Sequence, residues 1–302
     1  MAMVVFAIIM AAGGLCFGAS EPIPTVGIAV SRQIRPYLEA LDGLSEILAG
    51  AGVRIQMVHL KDDSGPDALF GASPPDLLVG VGPEATRLLW EAHGGSGRRI
   101  IYSMVLNPEA LMDGGPETDG CGVPLNIPVR RQLQAMAENL PGIQRVGILY
   151  DPAYNVEFFA EAEIDGADFG LTVVPLPVSS RADIPRALRK DLDRLDALWM
   201  IPDRTVISES IVQYVIKEAL LKNVPVIGYN RFFLESGASL AFVIDYEEIG
   251  RQAGRMVRSV LAGDGCGRAV PAFESIRNDR VLDRMGWTAG EDSGSHDEES
   301  TP

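Results

Sequence analysis

The chain has 302 residues, of which 47% are hydrophobic and 22% charged, enough apolar material for two domain cores of ordinary size. Its formal net charge of −15 speaks against nucleic acid or anionic lipid as partner, since both call for basic surface. With three histidines and three cysteines, none at metal-ligand spacing, the sequence calls for no metal and no cofactor.

Residues 1–20, MAMVVFAIIMAAGGLCFGAS, are apolar, carry no charged side chain and end in small residues before Glu21-Pro22. This is the h-region and cleavage region of a secretory signal peptide, although its n-region has only the α-amino group for charge. An uncleaved anchor is the alternative by length, because roughly 20 apolar residues span a bilayer. Acylation at Cys16 is a further alternative, opposed by the bulk of Leu15.

From residue 24 to 262, short apolar runs alternate with amphipathic stretches. A strand is expected at 25–30, then a helix over 36–48 with Leu38, Leu41, Leu44, Ile47 and Leu48 on one face. Strands are expected at 53–59 and 77–81, followed by a helix from Pro83 that turns Ala85, Leu88, Leu89 and Ala92 inward. A strand at 99–104 and a short helix at 108–112 complete this series. The runs are nearly continuous rather than alternating, as in parallel strands covered by helices on both faces.

The stretch DGGPETDGCGVPLNIPV (113–129) is rich in Gly and Pro and lacks a helical period, and the β-α pattern restarts after it. Helices are expected at 128–140, 156–169, 184–193 and 206–222, with strands at 145–150, 171–174, 197–201, 224–228 and 239–244. A last helix, YEEIGRQAGRMVRSVLAG, stacks Ile249, Ala253, Met256, Val257, Val260 and Leu261 on one stripe. Its Gly250 and Gly254 permit close backbone approach, and Gly263 stops it. Two β-α series of similar length favour two open α/β lobes, with an eight-stranded barrel as the rival. The acidic end, EDSGSHDEESTP, lacks large apolar residues and is expected to be disordered.

In an open parallel sheet, ligands bind outside the carboxyl ends of the strands. Five buried runs here end in polar loops: Ser31-Arg32-Gln33, Gly82-Pro83-Glu84, Asp151 with Tyr154 and Asn155, Pro202-Asp203-Arg204, and Tyr229-Asn230. Asn107 and Asp245 follow two further strands. These are the candidate ligand-binding residues. Each loop begins a helix and so offers backbone N–H groups and a positive helix end. Arg or helix ends suit a carboxylate, Asp or Glu suits an amine, and Tyr154 and Tyr229 supply an apolar wall; a zwitterion fits. Each residue also has a plainer role, as a cap, a rim ion pair or a core side chain. The sequence has no G-x-S-x-G elbow, no G-x-x-x-x-G-K-[ST] loop and no G-x-G-x-x-G opening a helix, and nothing in it asks for an enzyme.

The segments RVGILYDPAYN, ALWMIPDRTVIS and NVPVIGYNRFFLESGASLAFVIDYEEIGRQAGRM together resemble the ABC-transporter substrate-binding family with tryptophan- and tyrosine-binding members. The resemblance spans roughly residues 24–287 and is strongest from 128 to 263. It implies a type I periplasmic-binding fold, in which two doubly wound parallel-sheet lobes are joined by three crossings. The corresponding division is a signal peptide at 1–20, lobe I at 21–124 plus 246–265, lobe II at 125–245 plus 266–288, and a tail at 289–302. By the same resemblance Cys121 and Cys266 lie near crossings, where a disulfide would form. The expected function is capture of a small polar or zwitterionic, amino-acid-like ligand for an ABC permease in the inner membrane, by a monomer in the periplasm. An extracytoplasmic sensor that reports occupancy to a membrane partner is the alternative. The sequence departs from the family pattern at Asn107-Pro108 and Val156. The basic loop SRQIRPY is a further departure: there Arg32 and Arg35 would suit a ligand with a second acidic group.

Overall fold

A computed structural model describes residues 23–61, 65, 69–70, 74–111 and 120–287. The expected signal segment at 1–20 and the acidic tail at 289–302 lie outside the described residues. Two sheets organise the rest. The first is wholly parallel and comprises β1 (Thr25–Val30), β2 (Arg54–His59), β3 (Leu77–Val81), β4 (Arg99–Val105) and β5 (Gly122–Pro124), in the order β2-β1-β3-β4-β5. The second comprises β6 (Arg145–Tyr150), β7 (Thr172–Pro177), β8 (Ala197–Met200), β9 (Val226–Gly228), β10 (Leu240–Ile244) and β11 (Phe273–Arg277). Its order is β11-β10-β9-β8-β6-β7, parallel except for β11, which runs antiparallel to β10 at the edge.

Helices α1 (Arg35–Leu48) and α2 (Pro83–His93) belong to the first sheet, and α3 (Val129–Asn139), α4 (Pro152–Gly166), α5 (Ile184–Asp191), α6 (Glu209–Leu220) and α7 (Arg231–Glu235) to the second. The chain then supplies α8 (Tyr246–Leu261) and, after β11, α9 (Asp279–Arg284). The central strands β3 and β8 are buried along their whole length, as continuous apolar runs should be. The edge strand β2 differs: its first four residues are exposed, and its sequence RIQMVH mixes polar and apolar side chains.

Three other departures from the sequence reading have local causes. Where a helix is expected at 108–112, a single 3-10 turn, Pro108–Ala110, follows Asn107 in the left-handed region at φ 52°. Strand β7 runs on through Pro175 and Pro177, which an edge strand tolerates because a missing N–H breaks no inner ladder. Helix α4 starts at Pro152, ahead of the expected 156, with Asn155 in a non-helical conformation inside its first turn.

Helix α8 follows a strand of the second sheet but packs on the first. Glycines make this possible: a Cβ on Gly250 would lie 1.8 Å from the Ala40 carbonyl oxygen, and one on Gly43 would lie 2.0 Å from that of Glu247. Helices α1 and α8 therefore touch backbone to backbone, and Arg251 of α8 adds an ion pair to Glu46 of α1 at 2.8 Å. The chain crosses between sheets after β5, again at Asp245 between β10 and α8, and a third time between α8 and β11.

Near the third crossing, Cys121 and Cys266 form a disulfide across 145 residues of sequence, with Cα atoms 5.3 Å apart. The chain beyond it runs beside β5: Gly122 N–H donates to Gly267 at 3.2 Å, and Ala269 N–H donates to Gly122 at 2.9 Å. The link closes a loop that contains the whole second sheet except β11, and such a closure limits the unfolded chain. Non-reducing peptide mapping of the native protein is expected to recover a Cys121–Cys266 peptide. Replacing both residues with Ser should cost about 2–4 kcal/mol in urea unfolding; free thiols in protein purified from an oxidising compartment would rule the link out.

Candidate ligand-binding site

The loops at the carboxyl ends of the first sheet are held by short polar contacts. Ser31 is buried; its N–H donates to Val81 at 2.9 Å, and its Oγ accepts the Ala85 N–H at 2.9 Å, so it binds the first turn of α2 to the end of β1. Gly82 precedes that turn at φ 90°, where a side chain would be strained and would meet Ser31 Oγ at 2.6 Å. Pro83 occupies the first turn of α2. Glu84 pairs through Oε1 with Arg32 at 3.1 Å, while its Oε2 is buried without a hydrogen-bond partner. The Tyr37 hydroxyl beside them is pushed up by burial first and by the Glu84 charge second. Gln33 is exposed. Asn107 donates its N–H to Asn126 Oδ1 at 2.8 Å and accepts the Asn126 amide in return, which ties β4 to the first crossing.

On the second sheet, one carboxylate organises the facing loops. Asp203 is 2% exposed. Its Oδ1 accepts the N–H groups of Thr205 at 2.8 Å and Val206 at 3.2 Å. Its Oδ2 accepts the N–H of Asp151 at 2.8 Å and the side-chain amide of Asn155 at 2.7 Å. Asp151 answers by capping α4 through Ala153 N–H at 3.0 Å and by accepting the Thr205 hydroxyl at 2.7 Å. The loops after β6 and β8 are thereby clasped to each other. Asp203 spends both oxygens on this clasp, and Asn155 spends its amide on it. Pro202 and Arg204 flank the clasp in exposed positions, and the Arg204 guanidinium lies 5.6 Å from the centre of the exposed Tyr154 ring. Tyr229 packs on Phe233 with ring centres 4.6 Å apart; burial first, and the Asp203 charge second, push its hydroxyl up to about 12.

Between the sheets lies a cavity of about 570 Å³. The first-sheet side contributes Arg35, Pro36 and Glu39 from α1 with Tyr246 and Glu247 from α8. The second-sheet side contributes Asn230, Arg231, Phe232, Glu274 and, from the end of β10, Val243 and Ile244, and the second crossing supplies Asp245. Of the strand-end residues singled out from sequence as ligand-binding, only Asn230 and Asp245 line it; Arg35, offered from the basic loop for a second acidic group, lines it as well. The others form the walls of the strand-end loops. Arg35 Nε pairs with Glu39 at 2.7 Å, and Glu247 pairs with Arg251. Asp245 caps α8 by accepting the Glu248 N–H at 2.9 Å, and Asn230 caps α7 through Phe233 N–H at 3.4 Å. The Tyr246 hydroxyl is raised by burial and then by the Glu39 charge.

Arg231 was within reach of sequence reasoning, because it directly follows Asn230 in the GYNR loop. Glu274 was not: it sits on β11, an edge strand with no apolar run to announce it. Among the described residues no His, Cys, Asp or Glu cluster is arranged to hold a metal ion, and no helix is long and apolar enough to cross a membrane.

Asp203→Ala would strand four donors in a buried setting, so it should cost about 3 kcal/mol or more in urea unfolding, far above the cost of a surface charge. Tyr229 has a pH signature. Its hydroxyl ionises near 10.0 in the unfolded chain and near 12 in the folded one, so both states hold the proton below pH 10 and only the unfolded state loses it above. Stability should therefore fall as pH rises from 10 to 12. Tyr229→Phe should flatten that fall and remove the last phenol to ionise in an absorbance titration.

Residues 72–281 match the family described as ABC transporter substrate binding protein. A curated relative, a tyrosine-binding protein of Clostridioides difficile strain R20291, is 23% identical over 209 residues, or 66% of this chain; the match spans 58% of that relative. Among solved structures, a ligand-free, open substrate binding protein with adhesive properties from Clostridium difficile superposes with a TM-score of 0.74 at 19% identity, covering 90% of this chain and 97% of the other. The ABC domain in complex with L-Trp from Streptococcus pneumoniae gives 0.56 at 20% identity, covering 87% and 95%. A conserved domain protein from Vibrio cholerae gives 0.59 at 21%, covering 89% and 97%. At these identities the structures establish the shared fold, that of type I periplasmic-binding proteins. With its family match covering most of the chain and two α/β lobes flanking a cavity, this protein belongs to the ABC transporter substrate-binding proteins, a family and fold of binding proteins rather than enzymes.

Proposed function

We propose that the chain is the extracytoplasmic solute receptor of an ABC importer and captures a small zwitterionic, amino-acid-like ligand between its lobes. The observation that carries this reading is the cavity at the second crossing, because residues from both sheets line it. Only a form in which the lobes close can touch a solute from both sides, so solute binding favours closure. The present arrangement is read as the open one. In support, it superposes better on the ligand-free, open relative than on the L-Trp complex at similar identity, 0.74 against 0.56.

The cavity has the groups a zwitterion needs. Arg231 and the amide of Asn230 suit a carboxylate, Asp245 and Glu274 suit an ammonium, and Tyr246 and Phe232 provide apolar faces. The tyrosine- and tryptophan-binding relatives support an amino acid as the solute class. Arg32, Glu84, Tyr154 and Arg204 form the rim that the closing lobes bring toward the solute. Asp203 and Asn155 keep the rim of the second lobe in shape. Export by the N-terminal signal, a monomeric state and docking to an inner-membrane permease complete the reading.

The test is a thermal-shift panel on protein unfolded and refolded once to remove carried-over solute, with amino acids, dicarboxylates, purines and sugars. A solute at about 100 times its Kd should add roughly 2.7 kcal/mol and raise the midpoint by a few degrees. Small-angle scattering with the same solute should report a smaller radius of gyration. A panel without any amino-acid hit on folded protein would overturn the assignment.

A further inference from the structure

The charges that line the interlobe cavity do not cancel. Four carboxylates (Glu39, Asp245, Glu247 and Glu274) face two guanidiniums (Arg35 and Arg231). Arg35 is taken by Glu39, and Glu247 by Arg251, which does not line the cavity. Asp245 uses one oxygen to cap α8. Among the described residues, Arg231 has no ion pair or hydrogen-bonded partner, nor does Glu274, which lies opposite Val243 where β11 pairs with β10. One cation is thus left against two carboxylates.

The imbalance costs little while Arg231, Asp245 and Glu274 are exposed, as they are here. Closure changes that. A charge shut away from water without a partner is far more costly than the same charge in solvent, so the solute must supply what the cavity lacks. The two arginines that the sequence offered as readers of a second acidic group are both occupied, Arg32 by Glu84 and Arg35 by Glu39. Within the cavity lining, what is missing is positive charge; the Arg204 guanidinium lies outside that lining, over the Tyr154 ring.

We propose that the solute is a basic amino acid, with one carboxylate and two cationic groups. Its carboxylate meets Arg231 and the Asn230 amide, and its two cationic ends meet Asp245 and Glu274. This rests on the reading of the cleft as an amino-acid site and narrows it. A neutral aromatic amino acid would fill Arg231 and one carboxylate and leave the other unpaired in the closed form. The cavity, about 570 Å³, has room for a long side chain and some water. The net charge of −15 also raises the local concentration of a cationic solute.

The test is isothermal titration of the full chain, stripped of solute, with L-arginine, L-lysine, L-tyrosine, L-tryptophan and L-glutamate in turn. L-arginine or L-lysine is expected to bind at least about tenfold more tightly than L-tyrosine or L-tryptophan, the difference that one charge-assisted contact makes. Glu274→Gln lies on an exposed edge position and should leave the unliganded thermal midpoint in place while shrinking that preference about tenfold. Arg231→Ala should weaken every amino acid that binds. Equal or tighter binding of L-tyrosine or L-tryptophan, or an unchanged preference in Glu274→Gln, would overturn the basic-solute assignment and leave the amino-acid reading standing. Failure of these five and of every other amino acid in the thermal-shift panel to bind would overturn both.

Discussion

The backbone contact between α1 and α8 fixes the geometry of the cleft. Gly43 and Gly250 allow two helices separated by two hundred residues to meet without side chains between them, and any Cβ there would strike a carbonyl oxygen. Helix α8 thereby belongs to the first lobe although the strand before it belongs to the second. The crossing at Asp245 has no slack: β10 ends at Ile244 and α8 begins at Tyr246. This one-residue connection joins a strand of the second sheet to a helix packed on the first, and Asp245 itself lines the cavity. The cavity residues Arg35 and Glu39 sit on α1 and Tyr246 and Glu247 on α8, so the same contact holds one whole side of the site.

On the other side, order comes from a carboxylate rather than from packing. Parallel strands that end in polar loops leave backbone N–H groups to satisfy, and an unpaired buried donor is costly. Asp203 resolves this for two loops at once, with four donors on its two oxygens. A residue singled out from sequence as a candidate ligand contact thus serves neighbouring backbone and side-chain donors. Its effect on binding is indirect. It fixes Asn155 and the N-terminus of α4; on the proposed reading, a face formed before a solute arrives would lower the ordering cost of capture.

The lobes were legible in the sequence because burial on both faces writes continuous apolar runs, and those runs stand out in β1, β3, β4, β6 and β8. Edge strands do not write that signal. The reading of β2 as buried was mistaken, β7 was cut short at its prolines, and β11 was not placed as a strand at all. The site was legible only at the level of loops. Strand-end position picked Asn230 and Asp245, which line the cavity. It also picked Ser31, Asn107, Asp151 and Asp203, whose polar atoms turn out to serve neighbouring backbone or side chains. Spacing along a chain shows where a polar side chain is available. It does not show whether the fold has already used it.

That distinction between used and unused polar groups decides what the cleft can recognise. Paired groups such as Arg32–Glu84 and Arg35–Glu39 are exposed ion pairs that contribute little stability, and as neutral units they contribute little selectivity. Arg231, Asp245 and Glu274 differ because closure would remove them from water while the protein supplies too few opposite charges. The discrimination they impose comes as much from what a wrong solute leaves unpaired as from what a right one touches. It is weak in the open form and grows as water leaves. On the proposed reading, a receptor built this way would sample many solutes and close on those whose charge balances its own, and selectivity would be exerted at the hinge step rather than at first contact.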